Sequence, residues 1–350
     1  MDYKKVIVAL EVEVTSYCNS HCPGCARNIS GGEIHPQVNL AHMEMSTWKS
    51  LINDSHFLKN CKCLALNGMF GDPMMHPNLI EMLDRLADTS KGKISLEINS
   101  NGGIRSKFFW QELSHILQRF QEHKMIFSID GLQDTNHIYR RGVDYNRIIE
   151  NAKNFIDAGG NAMWKMIVFD HNKHQISEAK DVARKMRFAS FKLNASINKI
   201  IKAKEYKNFS SYTITAPQNN EVLDLKNKYD KDFKDTTTEL SLPSTINNLN
   251  PHICHWINLQ LIQMTLDGKI WPCCYTAENP YSKNEPDQIW TFDYLDQNYS
   301  EGFNNINQSS LEQILDHRLF VKDIEKIWSS KSSMICNMCV QGQWQDVWDR

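Results

Sequence analysis

Apolar runs of strand length alternate with longer amphipathic stretches over the first 200 residues of the chain. The short runs end in polar or glycine-containing turns, which is typical of buried parallel strands. The longer stretches repeat apolar residues at intervals of three and four, which predicts helices. The predicted strands cover residues 6–17, 63–69, 94–99, 125–130, 162–170 and 191–197. The predicted helices cover residues 46–58, 77–88, 107–120, 145–158 and 175–186.

This alternation predicts right-handed βαβ units and therefore a parallel sheet. Six such units suit an open, partial (βα)6 barrel, an α/β fold with fewer units than the eight of a closed TIM barrel. In folds of this type, functional residues lie in the loops at the carboxyl ends of the strands. We therefore expect the chemistry of the chain in the segments that directly follow each strand.

The pattern changes after the sixth predicted strand. Residues 200–250 are rich in Lys, Asn, Asp and Thr, which indicates a polar linker or insertion with one candidate helix at 219–232. Beyond it, an apolar strand, a hairpin signal at Asp267 and Gly268, a short return strand and a helical stretch predict a small C-terminal domain. The predicted units are thus a barrel over residues 1–199, the polar segment over 200–250 and a hairpin-and-helix domain over 251–350.

Composition and charge narrow the range of functions. The chain has 350 residues, enough for about two domains, and a net charge of −2 that favours neither a nucleic-acid partner nor an anionic membrane. No apolar run approaches the ~20 residues that span a bilayer, and the N-terminus lacks a signal-peptide pattern. Ten cysteines without a secretory signal indicate a reducing compartment and metal ligation. We therefore expect a soluble, cytoplasmic protein.

Three cysteines, Cys18, Cys22 and Cys25, follow the first predicted strand at C-x3-C-x2-C spacing. A loop of this length can bring three thiolates to one metal centre. A four-iron cluster normally takes four cysteines, so three local ligands leave one iron open to another ligand. A structural zinc site is the alternative, although such sites typically use paired C-x2-C or Cys/His ligands.

A second cysteine set lies in the C-terminal part of the chain. Cys254 precedes the predicted hairpin, Cys273 follows it, and Cys336 and Cys339 form a C-x2-C pair. Four thiolates suffice for one closed four-iron cluster, and a four-cysteine zinc ribbon is the alternative. Cys274, next to Cys273, is a spare that can replace it as a ligand.

Polar or glycine residues follow the second, third and fourth predicted strands. Glycine lets the backbone approach a ligand closely, and a carboxylate accepts hydrogen bonds from an ammonium group. Each short motif is weak alone, but motifs at successive strand ends meet at one end of a parallel barrel. The residues concerned are Gly71, Asp72, Asn101, Ser128 and Asp130.

The cysteine triplet at the end of a first strand resembles the signature of the radical S-adenosylmethionine (radical SAM) enzymes. The segment around Gly71 and Asp72 resembles the family's Gly-Gly-Glu-Pro motif, which holds the amino group of SAM, and the turn containing Asn101 resembles its Thr-Asn-Gly segment. In relatives, a serine at the position of Ser128 contacts SAM, and an arginine twelve positions later, here Arg140, reaches its carboxylate. The SAM-binding residues that the resemblance implies are Gly71, Asp72, Asn101, Ser128, Asp130 and Arg140.

The chain departs from the family at the position before the third cysteine. That position is often aromatic in relatives and covers the adenine of SAM, whereas here it is Gly24. The departure concerns the adenine contact and not the cluster ligands.

The resemblance also implies cofactors and a reaction. The cluster at Cys18, Cys22 and Cys25, reduced by a flavodoxin- or ferredoxin-type donor, would cleave SAM to a 5′-deoxyadenosyl radical that removes a hydrogen atom from the substrate. The spacing of thirteen residues from Cys254 to Gly268 and four from there to Cys273 resembles the opening of the SPASM domain. Because no further cysteine follows Cys339, the pattern resembles its shortened form, Twitch, which holds one auxiliary cluster. Two 4Fe–4S clusters and SAM are thus the implied cofactors.

The sequence gives less information about the substrate than about the cofactors. A second cluster favours oxidation of a small molecule, with the auxiliary cluster accepting an electron; modification of a ribosomal peptide is the alternative. A hypothesis of another class is a non-catalytic electron-transfer or zinc-binding module. Candidates for a general base are Lys165, Asp170 and His171, by position only.

Overall fold

One eight-stranded sheet organises the molecule. The computed structural model describes residues 9–196, 198–229, 261–281 and 288–330, together with Ser333 and Cys336. The strands are β1 (Ala9–Val12), β2 (Cys63–Leu66), β3 (Ser95–Ser100), β4 (His123–Ser128), β5 (Ala162–Val168), β6 (Ser190–Ala195), β7 (Ile200–Ala203), β8 (Tyr212–Thr215), β9 (Leu261–Met264) and β10 (Ile270–Trp271). The sheet has the order β10-β9-β1-β2-β3-β4-β5-β6, and β1 to β6 run parallel in chain order, which confirms the predicted barrel strands.

Helices connect the strands as predicted, except that two of the predicted helices are each divided into shorter ones. The helices are α1 (Met45–Ile52), α2 (Ser55–Asn60), α3 (Leu79–Ser90), α4 (Lys107–Leu117), α5 (Asn136–Tyr139), α6 (Tyr145–Asp157), α7 (Ile176–Lys185), α8 (Asn219–Tyr229), α9 (Cys274–Glu278), α10 (Phe292–Tyr299), α11 (Leu311–Leu315) and α12 (Ile324–Ser329). The single helix predicted at 46–58 is two helices, because the Asp54 side chain caps α2 by accepting from the Phe57 N–H. The helical stretch of the predicted C-terminal domain, which the sequence pattern places at residues 310–328, is also divided, with a π-helical segment at Leu319–Asp323. Among the described helices, none combines the length and apolar composition needed to cross a bilayer.

The two faces of the sheet differ in polarity. On the outer face, Phe127 and Trp164 are fully buried, and Phe127 packs against Trp110 of α4 and Phe155 of α6. Since side chains alternate along a strand, the intervening residues point to the inner face of the barrel. Those residues include Glu11, Glu97, Ser128, Lys165 and Lys192, all of them half-buried. The barrel therefore has an apolar outer core and a polar interior.

The C-terminal hairpin extends the barrel sheet. Strand β9 pairs in parallel with β1, with Ala9 opposite Leu261, and β10 returns antiparallel to β9. The turn between them contains Gly268 at φ +86°, a backbone conformation that favours glycine. Residues 256–260 of the predicted strand lie outside the described part of the chain.

A two-stranded ribbon, β7–β8, occupies the first part of the segment predicted as a polar linker. Ile201 and Ile214 of this ribbon form a small apolar cluster with Cys22 and Tyr139. Helix α8 follows at the position of the predicted helix, and residues 230–250 lie outside the described residues. The ribbon thus covers one side of the cysteine loop.

Candidate functional site

The three N-terminal cysteines lie on the loop that follows β1. Cys22 is buried, and Cys18 and Cys25 are half-buried. Ser20 connects two of them, because its N–H donates to Cys18 Sγ (3.4 Å) and its hydroxyl lies 3.0 Å from Cys22 Sγ. The same hydroxyl donates to the carbonyl oxygen of Arg141 at 3.1 Å. The loop therefore already supplies hydrogen bonds to its sulfur atoms.

The donor chemistry of this loop fits an iron–sulfur cluster. Burial, with Cys22 adding to it, raises the pKa of the Cys25 thiol to about 12, and burial, with Asp72 and Cys22 adding, also raises the pKa of Cys18. Neighbouring thiols in such surroundings ionise only beside a strong positive charge, which a metal centre provides. Over the described ranges, no three His, Cys, Asp or Glu side chains converge as they would around a single ion. In a four-iron cluster each thiolate binds a different iron, so convergence on one point is not required.

Asp72 joins the loops that follow β2 and β3. Its buried carboxylate accepts hydrogen bonds from the Met74 N–H (3.0 Å), the Ser100 hydroxyl (2.8 Å) and the Asn101 N–H (2.8 Å). Burial raises the pKa of Asp72, and these three hydrogen bonds oppose the shift. Both carboxylate oxygens are thus used within the protein, where they fix two strand-end loops to one another.

Asn101 brings the loop after β3 to the cysteine loop. Its side-chain amide donates to the Asn19 side-chain oxygen at 2.8 Å, and its nitrogen lies 3.8 Å from Cys18 Sγ. The predicted motifs after β1, β2 and β3 are therefore in direct contact.

Gly71 lies against the backbone of the cysteine loop. A Cβ atom at this position would lie 1.8 Å from the Thr15 carbonyl oxygen. We expect Gly71→Ala to lower the free energy of unfolding by about 1–3 kcal/mol, because the turn must move away from the loop. Urea unfolding of the anaerobically prepared protein measures the loss. Gly32→Ala is the matched control, since its Cβ would come no closer than 3.1 Å to another atom; wild-type stability in Gly71→Ala would contradict the expectation.

A buried ion pair lies at the end of β4. Asp130 is 0% exposed; its Oδ2 accepts from Arg140 Nε at 2.6 Å and its Oδ1 from the Ile167 N–H at 2.6 Å. Arg140 Nη1 lies 3.8 Å from Cys22 Sγ. Burial disfavours the charged guanidinium, but Asp130 and Cys22 outweigh it and hold the pKa of Arg140 above its usual value. A permanent positive charge therefore lies beside the cysteine loop.

The remaining candidates occupy two different places. Ser128, the last residue of β4, pairs in register with Lys165 of β5, so both lie on the inner face. Asp170 is exposed and pairs with Lys173 at 2.9 Å. The ring of His171 stacks on Phe169 with centroids 5.3 Å apart, and burial lowers its pKa to about 4. Of the three general-base candidates, Lys165 lies on the inner face, and Asp170 and His171 lie in the loop after β5.

The space next to Gly24 is filled from elsewhere in the chain. A Cβ atom on Gly24 would lie 3.0 Å from Tyr139 Oη and 3.1 Å from Ile201 Cδ1. The ring of Tyr139 packs against Phe169 at a centroid distance of 4.7 Å. An aromatic side chain at position 24 is therefore incompatible with this packing, which accounts for the glycine.

Two residues hold the site together: Arg141, which the sequence offers only as a second candidate beside Arg140 or as a surface residue, and one residue that the sequence analysis did not select. Arg141 is 0% exposed and donates to the carbonyl oxygens of Gly31, Lys204 and Ser210 and to the Tyr212 hydroxyl. It therefore joins the cysteine loop to the β7–β8 ribbon, a role that its position beside Arg140 does not reveal. The second is Glu13. The sequence signal for a special role is that Glu13, like Glu11, is an acidic residue within an otherwise apolar predicted strand.

Glu13 supports the turn that contains Gly71. It is 1% exposed, and its Oε1 accepts from the Phe70 N–H at 2.6 Å. Burial raises the pKa of Glu13 from 4.5 to about 8, with Asp267 and Glu278 adding to the shift and hydrogen bonds from Phe70 and Gly71 opposing it. The folded protein therefore retains a proton that the unfolded chain releases above pH 4.5.

This retained proton predicts a pH-dependent stability. The contribution is largest below the unfolded pKa and is lost as pH rises from 4.5 to about 8, with a slope of at most about 1.4 kcal/mol per pH unit. Glu13→Gln keeps an acceptor for the Phe70 N–H but cannot titrate, so we expect it to remove this decline. Urea unfolding across that range measures it, and identical pH profiles for both proteins would contradict the assignment.

The C-terminal cysteines are only partly described. Cys273 is buried at the N-cap of α9, with its Sγ 3.7 Å from Thr276 Oγ1, and Cys274 and Cys336 are half-buried. Cys254 and Cys339 lie outside the described residues. The second ligand set therefore remains a prediction from sequence.

A comparison with protein families assigns the N-terminal part of the chain. Residues 12–185, about half of the chain, match the model of the Radical SAM superfamily. These residues form a radical SAM domain. Membership implies SAM and a 4Fe–4S cluster as cofactors. The match begins in β1 and ends in α7, so the cysteine loop and every strand-end motif described above belong to the radical SAM domain.

Solved structures share the fold of the radical SAM domain and of the segment beyond it. SuiB from Streptococcus suis bound to S-adenosylmethionine is 15% identical, with a TM-score of 0.61 over 91% of this chain and 68% of that one. SuiB bound to its precursor peptide SuiA is 15% identical (TM-score 0.58, 91% and 65%), and anSMEcpe with bound AdoMet and the Cp18Cys peptide is also 15% identical (0.57, 89% and 81%). The chain thus spans about two thirds of SuiB. No curated protein shows significant sequence similarity to it.

Proposed function

We propose that this chain is a radical SAM oxidoreductase that oxidises a small molecule. The single observation that carries the proposal is the convergence of the motifs after β2, β3 and β4 on the Cys18–Cys25 loop within a radical SAM domain. Cys18, Cys22 and Cys25 would hold a 4Fe–4S cluster. Bound there and reduced, such a cluster would supply the electron for reductive cleavage of SAM, and thereby a radical able to remove a hydrogen atom from the substrate.

The residues around the cluster would bind and orient SAM. Arg140, held by Asp130 and 3.8 Å from Cys22 Sγ, would attract the carboxylate of SAM. Gly71, without a side chain, would let the turn approach the amino group. Asp72 would act indirectly, by fixing that turn to Asn101, because both of its carboxylate oxygens already accept hydrogen bonds within the protein. Ser128 would face SAM from the inner side of β4.

The second cysteine set would serve the oxidation. We propose that residues 251–350 form a Twitch-like unit in which Cys254, Cys273, Cys336 and Cys339 bind an auxiliary 4Fe–4S cluster. The supporting observation is that β9 and β10, which lead to Cys273, belong to the barrel sheet itself. An electron leaving the substrate would thus have an acceptor in the same chain, with a flavodoxin- or ferredoxin-type protein as the external donor.

A peptide substrate is the second candidate. The observation that favours it is the likeness to SuiB bound to its precursor peptide and to anSMEcpe with a bound peptide. The non-catalytic electron-transfer or zinc-binding module is the weaker hypothesis, because the radical SAM domain contains the whole cysteine loop and the motifs around it.

Anaerobic reconstitution tests the proposed function. We expect about eight irons per chain from two four-iron clusters, and 5′-deoxyadenosine after incubation with dithionite and SAM. Replacing Cys18, Cys22 and Cys25 by alanine should abolish deoxyadenosine formation and leave about four irons.

The matched control for these variants is Cys61→Ala. Cys61 lies at the opposite end of the barrel, where its thiol donates to the Cys63 carbonyl oxygen at 3.1 Å. It should retain both iron and activity. Zinc in place of iron, or a fully loaded protein that forms no deoxyadenosine, would overturn the proposal.

A further inference from the structure

Ser20 lies between the first two cysteines of the loop and contacts both of them. It is 2% exposed, and its backbone N–H donates to Cys18 Sγ at 3.4 Å. Its hydroxyl oxygen lies 3.0 Å from Cys22 Sγ and 3.1 Å from the carbonyl oxygen of Arg141. A residue that is not itself a ligand therefore lies against two of the three sulfur atoms.

The Ser20 hydroxyl has two acceptors within reach but only one proton. The Arg141 carbonyl oxygen already accepts from the His21 N–H at 2.9 Å, so it stays hydrogen-bonded without Ser20. A cysteine that binds a metal is a thiolate, which has no proton to donate. Hydrogen bonds to a charged acceptor are stronger than those to a neutral one. In the loaded protein, the Ser20 proton would therefore point to Cys22 Sγ and not to the carbonyl oxygen.

The surroundings of Cys22 increase the effect of such a hydrogen bond. Cys22 is 6% exposed and belongs to a small apolar cluster with Tyr139, Ile201 and Ile214. Water has little access to a sulfur atom in this position, and a hydrogen bond in low-dielectric surroundings is electrostatically stronger than one in water. The Ser20 hydroxyl thus supplies what solvent supplies at an exposed sulfur.

Hydrogen bonds to the ligand sulfurs are one of the factors that set the reduction potential of an iron–sulfur cluster. Reduction adds a negative charge, part of which lies on the thiolates, and a proton donor at a thiolate stabilises that charge. Such a donor raises the potential, and its removal lowers the potential. Ser20 supplies the donor from a neutral side chain, so its removal changes neither the ligand set nor the net charge.

We propose that Ser20 acts through Cys22 as a positioning residue: its hydroxyl donates to the Cys22 thiolate and raises the reduction potential of the cluster bound there. The inference rests on the proposed function, because it requires that Cys18, Cys22 and Cys25 hold a 4Fe–4S cluster. It adds to that function a residue that determines how strong an external electron donor the protein needs.

A redox titration followed by EPR tests this role without turnover. Anaerobically reconstituted wild type is compared with Ser20→Ala, using the signal that is absent when Cys18, Cys22 and Cys25 are replaced by alanine. We expect the equilibrium constant for reduction to fall about threefold to tenfold in Ser20→Ala, where tenfold is about 59 mV for a one-electron couple. Ser20→Thr keeps the hydroxyl and should have the wild-type potential.

Ser16→Ala is the matched control. Ser16 is 1% exposed on the segment that leads to Cys18, and its hydroxyl donates to the Asn39 carbonyl oxygen at 2.7 Å and accepts from the Ala41 N–H at 2.8 Å. Its loss should lower stability and leave the potential unchanged. Equal potentials of wild type and Ser20→Ala would overturn the inference, and so would an equal fall in both alanine variants.

A measurement on the wild-type protein decides the case in which Ser20→Ala does not assemble its cluster. Pulsed EPR of the reduced protein in D₂O should show an exchangeable deuteron strongly coupled to the N-terminal cluster, and Ser20→Thr should retain it. Absence of this coupling in the wild type would overturn the inference. Failure of the proposed function is recognised separately, because the wild type would then have no EPR signal that depends on Cys18, Cys22 and Cys25.

Discussion

Asp130→Asn is expected to lower the free energy of unfolding by about 3–5 kcal/mol, because it leaves the buried Arg140 guanidinium without its counter-charge. Asp130 is fully buried and also accepts from the Ile167 N–H, so it joins β4, β5 and the segment after α5. Asparagine keeps the shape and one acceptor but removes the charge. Urea unfolding of the anaerobic protein measures the loss.

An exposed ion pair provides the matched control for this variant. Asp84 pairs with Arg119, with both side chains 40% or more exposed. Surface pairs contribute about 0–1 kcal/mol, so Asp84→Asn should change stability little. Equal effects of Asp130→Asn and Asp84→Asn would contradict the structural role of the buried pair. SAM affinity tests the proposed role of Arg140 as well: it should fall for Asp130→Asn, because Arg140 loses its fixed position.

Arg141→Met is expected to detach the β7–β8 ribbon from the cysteine loop. Arg141 donates four hydrogen bonds, at 2.7–3.2 Å, to groups in the loop and the ribbon, and its guanidinium lies 4.5 Å from the centroid of the Tyr212 ring. Leaving those acceptors unpaired should cost about 3–5 kcal/mol. Because the ribbon covers Cys22, the cluster should also bleach faster in air. Loss of the visible absorbance of the cluster after exposure to oxygen measures this rate.

Two further variants separate the geometry of Arg141 from its charge. Arg141→Lys keeps the charge but lacks the planar fork that reaches several acceptors, so it should resemble Arg141→Met. Arg187→Met removes an arginine whose side chain is 70% exposed, and it should leave both stability and bleaching unchanged. Bleaching of Arg141→Met at the wild-type rate would show that the ribbon does not shield the cluster.

The barrel strands were predictable because each is an apolar run with a clear turn after it. The contact between the motifs at Cys18, Asp72, Asn101 and Asp130 was predictable too, since the carboxyl ends of parallel strands meet at one end of the barrel. Both results follow from local patterns combined with one rule of topology.

Features that depend on distant partners were not predictable in this way. Arg141 has the local sequence surroundings of a surface residue, and its acceptors lie as far as 110 positions before it and 71 positions after it. Asp54, which caps α2, is a local signal for the break between α1 and α2. Its side chain also accepts a hydrogen bond from the distant Leu311 N–H at 3.0 Å, and the local sequence does not indicate this contact. One face of the β7–β8 ribbon is exposed, so its strands contain many polar residues. They therefore lack the continuous apolar run by which the barrel strands are recognised.

The pairing of β9 with β1 has a consequence for biosynthesis. Ala9 of β1 pairs with Leu261 of β9, which follows much later in the chain. One edge of β1 therefore stays uncovered until the ribosome has passed the hairpin. An uncovered edge strand is a template for pairing with other chains. A nascent or truncated chain that ends before residue 261 should therefore associate with itself or with chaperones, although it contains the complete radical SAM domain. Completion of the barrel sheet, and any timing of cluster insertion that depends on it, then waits for the last quarter of the protein.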